Sequence, residues 1–252
     1  MASAAEIKYP RRKYFRGFLH WLSRVVFGLI TDLTIVGEEN IPEDEPLFIV
    51  GNHFSFIDPV AFLRIFSWKL EFVGGAQTPH APMITRWMPK LWGYYPLYRG
   101  TGSRDSLRAA EQVIEKGGYL GIFPEGGSWA EVLRPARPGT AFLATRTGAR
   151  ILPVGLVGLN DVFPMLKKGK RAKIEFRIGK PFGPLEATGR GRERREQLDE
   201  MGHDIMRSVA ALLPQEKRGR YSDDPAIREA AKEFEAYPWE DKLEGEVVGE
   251  IH

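Results

Sequence analysis

Short apolar runs and stretches of helical period alternate along most of this chain. Leu33–Val36 and Leu47–Val50 read as strands on either side of a turn-rich segment, and Pro59–Lys69 has the spacing of a helix. Leu70–Val73 is a short strand ended by Gly74-Gly75, Met83–Leu91 a helix, Tyr94–Tyr98 a strand, and Ser103–Lys116 a helix capped by Ser103. The buried-type strand Gly118–Phe123, the helix Gly139–Thr147 closed by Gly148, and the strands Ile151–Val157 and Lys173–Ile178 continue the pattern. An Arg-rich helical stretch, Glu186–Leu213, and a last helix, Pro225–Tyr237, complete it. The two periods, read against their turn and cap residues, separate strand from helix. Their alternation predicts an α/β fold: a single domain with a largely parallel or mixed central sheet flanked by helices.

An N-terminal amphipathic helix precedes the sheet. A basic cluster (Arg11, Arg12, Lys13, Arg16) leads into a stripe of Phe18, Trp21, Leu22, Val25, Val26 and Leu29 at helical spacing, with His20 and Arg24 off it. The stretch is too short for a bilayer span of ~20 apolar residues, Arg24 interrupts it, and no small-residue cleavage site follows. Two readings stand side by side. The stripe docks on the core, or it lies in the plane of a membrane, as basic and aromatic flanks favour.

Composition narrows the class of protein. The 252 residues are 43% hydrophobic and 27% charged, as in ordinary globular chains, and suffice for one large α/β domain. The absence of cysteine excludes a disulfide framework, a cysteine nucleophile and thiolate metal sites. The net charge of +3 is a near-cancellation: Tyr221 to His252 holds ten acids against three bases, a balance of −7, so residues 1–220 carry +10. Such asymmetry marks a surface-binding body with a solvating tail. The expected organisation is therefore a membrane-associating helix over 1–31, a main domain over 32–213 and an acidic extension over 214–252. Arg190, Arg192, Arg194 and Arg195 are interspersed with acids and read as a solvated helix, not a nucleic-acid patch.

The chemistry concentrates behind strands. Asn52-His53-Phe54-Ser55-Phe56-Ile57-Asp58-Pro59 follows Leu47–Val50 directly, where α/β sheets collect functional groups. A histidine with an aspartate five positions on can be a base with its orienting carboxylate, or a turn residue beside a helix cap. Phe123-Pro124-Glu125-Gly126 follows a second apolar strand, and Arg99 ends a third segment, where a guanidinium suits phosphate recognition. The other histidines (His20 on the outer side of the first helix, His80, His203, His252) have no ligand-spaced partner, so no metal is expected. Trp68, Trp87 and Trp92 read as core or as the lining of an apolar channel.

These segments resemble the glycerolipid acyltransferases. That family's N-H-x-S-x-x-D pattern is matched by Asn52, His53, Ser55 and Asp58; its second pattern by Gly93 to Arg99; F-P-E-G by Phe123 to Gly126; and its proline-centred apolar run by Ile151-Leu152-Pro153-Val154-Gly155. The resemblance covers roughly residues 35–180. It implies that His53 takes the proton of a lysophospholipid-type hydroxyl as that oxygen attacks the thioester of acyl-CoA or acyl-carrier protein, Asp58 orienting His53. It also implies acceptor contacts from Asn52, Ser55, Arg99, Glu125 and Gly126, no cofactor, no metal, and a peripheral place on the inner face of the cytoplasmic membrane. The family's Thr-Arg after Phe-Pro-Glu-Gly is Gly127-Ser128 here; Arg134 or Arg137 can supply the missing charge, and Arg137 is the candidate carried forward. Two other readings are an inactive lipid-binding or scaffold protein on the same fold and a thioester hydrolase.

Overall fold

Seven strands join into one sheet in the computed structural model, which describes residues 7, 9–43, 45–67, 70–75, 91–97, 104–137 and 139–236. In chain order they are β1 (Thr31–Val36), β2 (Leu47–Gly51), β3 (Glu71–Gly75), β4 (Tyr95–Leu97), β5 (Tyr119–Ile122), β6 (Arg150–Val157) and β7 (Ala172–Ile178). They lie in the order β1-β7-β6-β2-β5-β3-β4, every neighbouring pair being parallel except β6 with β7. The helices are α1 (Lys13–Ile30), α2 (Asp58–Ile65), α3 (Arg104–Glu115), α4 (Gly139–Thr147), α5 (Val162–Lys167), α6 (Gly191–Ala210) and α7 (Pro225–Ala231).

The sheet is mixed and covered on both faces. Leu47 and Ile49 of β2 pack with Phe27 of α1 and with Ala61 and Phe62 of α2 on one side. Phe48 and Val50 pack with α3, α4 and α6 on the other, which is why β2 reads as an unbroken apolar run. Pro153 of β6 cannot donate to a ladder. It falls between the Ile151–Phe182 bridge and the Val154–Ile178 pair where β7 pairing begins, and its carbonyl accepts from the Gly179 N–H at 2.9 Å.

Several boundaries differ from the sequence expectation. α2 stops at Ile65 because Phe66 turns to extended backbone and buries its ring edge-on to Phe62. α7 gives way at Lys232–Phe234 to a single 3₁₀ turn, and the Arg-rich helix begins only at Gly191, after an extended Arg190. α5 was not expected; its Pro164 sits in the first turn, where no intrahelical N–H is needed. Most of the expected helix 83–91, Ser103, His80, Trp68, Trp87 and the tail beyond 236 lie outside the described residues.

Of the two readings of the first helix, the one that docks its apolar stripe on the core is not what the structure shows. Its buried residues are Arg16, His20, Ser23 and Phe27, while Phe18, Trp21, Leu22, Val25, Val26 and Leu29 are 37–70% exposed. Charge neutralisation turns it this way. Glu71, at the start of β3, is fully buried, and Arg16, equally buried, meets it with Nη1 at 2.6 Å and Nη2 at 3.0 Å. Arg11 adds a second guanidinium to the same carboxylate, and Arg16 Nε donates to the Trp92 carbonyl at 3.0 Å. His20, expected to face outward, is 8% exposed, its Nδ1 3.0 Å from the Leu63 carbonyl and its ring edge-on to Trp92. Among the described residues no helix is long and apolar enough to cross a membrane.

Residues 214–236 run back over the loop between β5 and α4. Leu133 N–H donates to the Lys217 carbonyl at 2.9 Å, and Trp129 Nε1 to the Phe234 carbonyl at 3.0 Å. Lys217 pairs with Glu131, and Tyr221 meets His203 at 2.9 Å.

Removing one partner of a buried ion pair strands the other, at a cost of about 3–5 kcal/mol. Glu71→Gln should therefore lower the unfolding free energy in urea by that order, and Arg16→Met combined with Glu71→Met should cost less than Glu71→Gln alone. A loss below about 1 kcal/mol, the level of a solvated pair, would contradict the clamp.

Candidate active site

The segments behind β2 and β5, neighbours in the sheet, meet at their carboxyl ends. Such strand ends are where open α/β sheets bind ligands. Asn52 leaves β2 fully buried, its Oδ1 accepting the Leu156 N–H at 2.7 Å and its Nδ2 donating to the Leu156 carbonyl at 2.9 Å. Both ends of its amide thus bond to Leu156 of β6, which pins the start of the loop.

His53 comes next, and its ring is held at two points. Its ring stacks on Phe123, centroids 4.5 Å apart, and Phe123 in turn stacks on Phe62 at 4.9 Å. Its Nδ1 lies 2.9 Å from Asp58 Oδ2. A carboxylate only accepts, so Nδ1–H donates to it, and Nε2 is the nitrogen that a neutral ring in this orientation offers as an acceptor. The His53 side chain is 16% exposed, so the ring is not sealed off from the surface.

Asp58 opens α2, with Pro59 in the first turn. The same Oδ2 accepts the Ser55 N–H at 2.8 Å, so the carboxylate closes the loop as well as orienting the ring. Burial pushes the Asp58 carboxyl up, against the hydrogen bond and charge of His53 and the N–H groups of Ser55 and Phe54. Ser55 is buried, its backbone rather than an exposed hydroxyl serving this geometry.

Glu125 lies behind β5 with 1% exposure. Its Oε1 accepts the His53 N–H at 2.7 Å, and its Oε2 accepts from Arg134 Nε at 2.9 Å and the Arg134 N–H at 3.2 Å. Burial pushes its carboxyl up while Arg134 and the His53 N–H oppose that. Both oxygens accept hydrogen bonds from within the protein, one from each strand-end loop. Gly126 adopts φ +79°, the left-handed turn that glycine permits, and its N–H donates to the Phe123 carbonyl at 3.1 Å. Arg137 is tied by its N–H to the Pro124 carbonyl at 2.8 Å, its half-buried guanidinium 5.9 Å from the Trp129 ring. Arg99 lies outside the described residues. Sequence reasoning named His53, Asp58, Glu125, Gly126 and Arg137, which the fold brings to one edge; it missed that Arg134 is the buried partner of Glu125.

A doubly covered sheet with a histidine–carboxylate pair at its carboxyl edge defines the class: an α/β protein whose chemistry sits on strand-end loops. The chain belongs to the acyltransferase family, whose model matches residues 32–157, from β1 through β6 with both loops. A chloroplastic 1-acyl-sn-glycerol-3-phosphate acyltransferase of Arabidopsis thaliana is 27% identical over 199 residues, 76% of this chain and 55% of that protein. The 1-acyl-sn-glycerol-3-phosphate acyltransferase of Borreliella burgdorferi is 28% identical over 133 residues, 52% of this chain and 53% of that one. The chain spans about half the length of these curated relatives. The crystal structure of the 1-acyl-sn-glycerophosphate acyltransferase PlsC from Thermotoga maritima shares the fold with a TM-score of 0.52 at 22% identity, covering 77% of this chain and 79% of that one.

Asn52→Ala leaves the Leu156 N–H and carbonyl without their partner, and each buried group left unpaired costs about 1–3 kcal/mol. The variant should show a lowered urea midpoint with an unchanged slope; wild-type stability would mean that the clasp contributes nothing.

Proposed function

We propose that the chain is an O-acyltransferase that moves a fatty acyl group from the thioester of CoA or acyl-carrier protein to a hydroxyl of a lysophosphatidate-type acceptor. The observation that carries this reading is His53: Nδ1 bound to a buried carboxylate, Nε2 left as the acceptor, in a chain of the acyltransferase family. As the acceptor oxygen forms its bond to the thioester carbonyl carbon, its proton passes to His53 Nε2. Collapse of the tetrahedral intermediate breaks the carbon–sulfur bond, and the imidazolium returns the proton to the departing thiolate. Asp58 stabilises the imidazolium in between. The step needs no acyl-enzyme and no cofactor beyond the thioester co-substrate. Arg137 and Arg99 supply the positive charge for an acceptor phosphate. The relatives' names, which specify acylglycerol-phosphate acyltransferases, support that choice of acceptor.

General base help is worth about 10²–10⁴-fold, so His53→Ala should lower thiol release from acyl-CoA with lysophosphatidate by at least the smaller factor. Retained turnover would sink the mechanism. Saturable lysolipid binding with no turnover in the wild type would instead favour the scaffold reading that Gly127-Ser128 motivates. Fatty acid release without an acceptor would indicate a thioesterase.

The membrane part of the proposal rests on the outward stripe of α1, an aromatic and aliphatic face held away from the core by Arg16 and His20. A helix lying in the interface presents such a face to lipid. Deleting residues 1–31 would also remove Arg11 and Arg16 from Glu71, so substitution of exposed residues is the cleaner test. Phe18→Ser, Trp21→Ser and Leu29→Ser together should leave thermal unfolding near wild type and reduce co-sedimentation with phosphatidylglycerol vesicles. Undiminished binding would remove α1 from the membrane contact.

A further inference from the structure

We propose that Arg134 is a positioning residue: with Glu125 it brackets the backbone of His53 and thereby aims the imidazole. The proposal rests on reading His53 as the base. Glu125 Oε1 takes the His53 N–H at 2.7 Å, and Arg134 Nη2 donates to the His53 carbonyl at 3.1 Å. One buried ion pair therefore holds both polar groups of the same peptide residue, nine positions separating its two members. With the backbone fixed at both ends, the side chain has Phe123 on one ring face and Asp58 on Nδ1, and little freedom remains.

Arginine suits this task in a way lysine does not. The guanidinium of Arg134 reaches Glu125 Oε2 through Nε at 2.9 Å and, through Nη2, both the His53 carbonyl and the Gly127 carbonyl, the latter at 2.5 Å. These acceptors come from both strand-end loops, and a planar fork of donors meets them together whereas a single ammonium cannot. The guanidinium carbon also lies 3.7 Å from the Trp129 ring centroid, and Trp129 Nε1 is fixed on the Phe234 carbonyl. The segment 214–236 thus braces the residue that braces the base. Arg134 is 1% exposed and its Nη1 is buried without a hydrogen-bond partner, so it is a fixture of the fold and not a cation presented to solvent.

Arg134→Met alone leaves the buried Glu125 carboxylate unpaired and risks misfolding, so the informative variant is Arg134→Met with Glu125→Gln. The amide oxygen of that glutamine can still accept the His53 N–H, and no charge is stranded. Arg134→Lys is the conservative companion. Both are compared with wild type by circular dichroism, by kinetics with acyl-CoA and lysophosphatidate, and by the downfield proton resonance of His53 Nδ1–H. A misplacement of about 1 Å at a reacting group can cost 10²-fold. Both variants should therefore stay folded, with kcat down by about 10-fold or more in that range, KM for each substrate within about threefold, and the Nδ1 proton shifted or lost. Unchanged kcat and resonance would overturn the proposal. So would a large rise in KM for lysophosphatidate at constant kcat, because Arg134 would then be an acceptor ligand. If the wild type turns over no lysolipid yet the resonance moves in the variants, the positioning stands and the transferase reading falls.

Discussion

Three buried carboxylates set the terms on which this chain can fold. Glu71 stands at the foot of β3, Asp58 at the head of α2 and Glu125 behind β5, each no more than 1% exposed. An ion taken out of water costs several kcal/mol unless a counter-charge and further hydrogen bonds replace its hydration. Each has therefore recruited a partner, and the partners fix the architecture. Asp58 draws in His53 and two backbone N–H groups; Glu125 draws in Arg134 and the His53 N–H; Glu71 draws in Arg11 and Arg16. The first two requirements lock the site loops to each other. The third determines which side of α1 faces the sheet.

That last requirement explains an arrangement that propensity alone would not produce. A helix whose Arg16, His20 and Ser23 must face inward cannot also turn Phe18, Trp21 and Val25 inward, because the two sets lie on different sides of the same cylinder. Neutralising Glu71 has the consequence of exposing an apolar stripe. The stripe is thus the counterpart of the buried ion cluster on the other side of the same helix.

The strands were legible in the sequence because β2, β5 and β6 are covered on both faces and so read as continuous apolar runs. His53, Asp58 and Glu125 were legible because their residue types stand directly behind those runs. The facing of α1 was not, since periodicity locates a stripe without saying which solvent it meets, and its deciding partner, Glu71, is 55 residues away from Arg16. Asn52 was visible as part of a pattern, yet its role is set by Leu156, 104 positions on. The short α5 escaped because six residues with an internal proline give no period to read.

Replacing Thr-Arg by Gly127-Ser128 looks in sequence like the loss of a cation from the site. The structure gives a guanidinium of the same loop an interior task. The guanidinium enters from Arg134, further along, and its donors go to Glu125, His53 and Gly127. The charges of Glu125 and Arg134 cancel, and Glu131 is engaged by Lys217. Arg137, half-buried and tethered by its N–H to the Pro124 carbonyl, stands three residues beyond Arg134. Arg134 makes the carboxylate tolerable in the interior, a task that an arginine at either replaced position would have to reach from elsewhere on the loop. A guanidinium whose Nε and Nη2 go to buried acceptors of two loops is fixed in place, so the charge of Arg134 is met inside the fold and its geometry is passed to the backbone of His53.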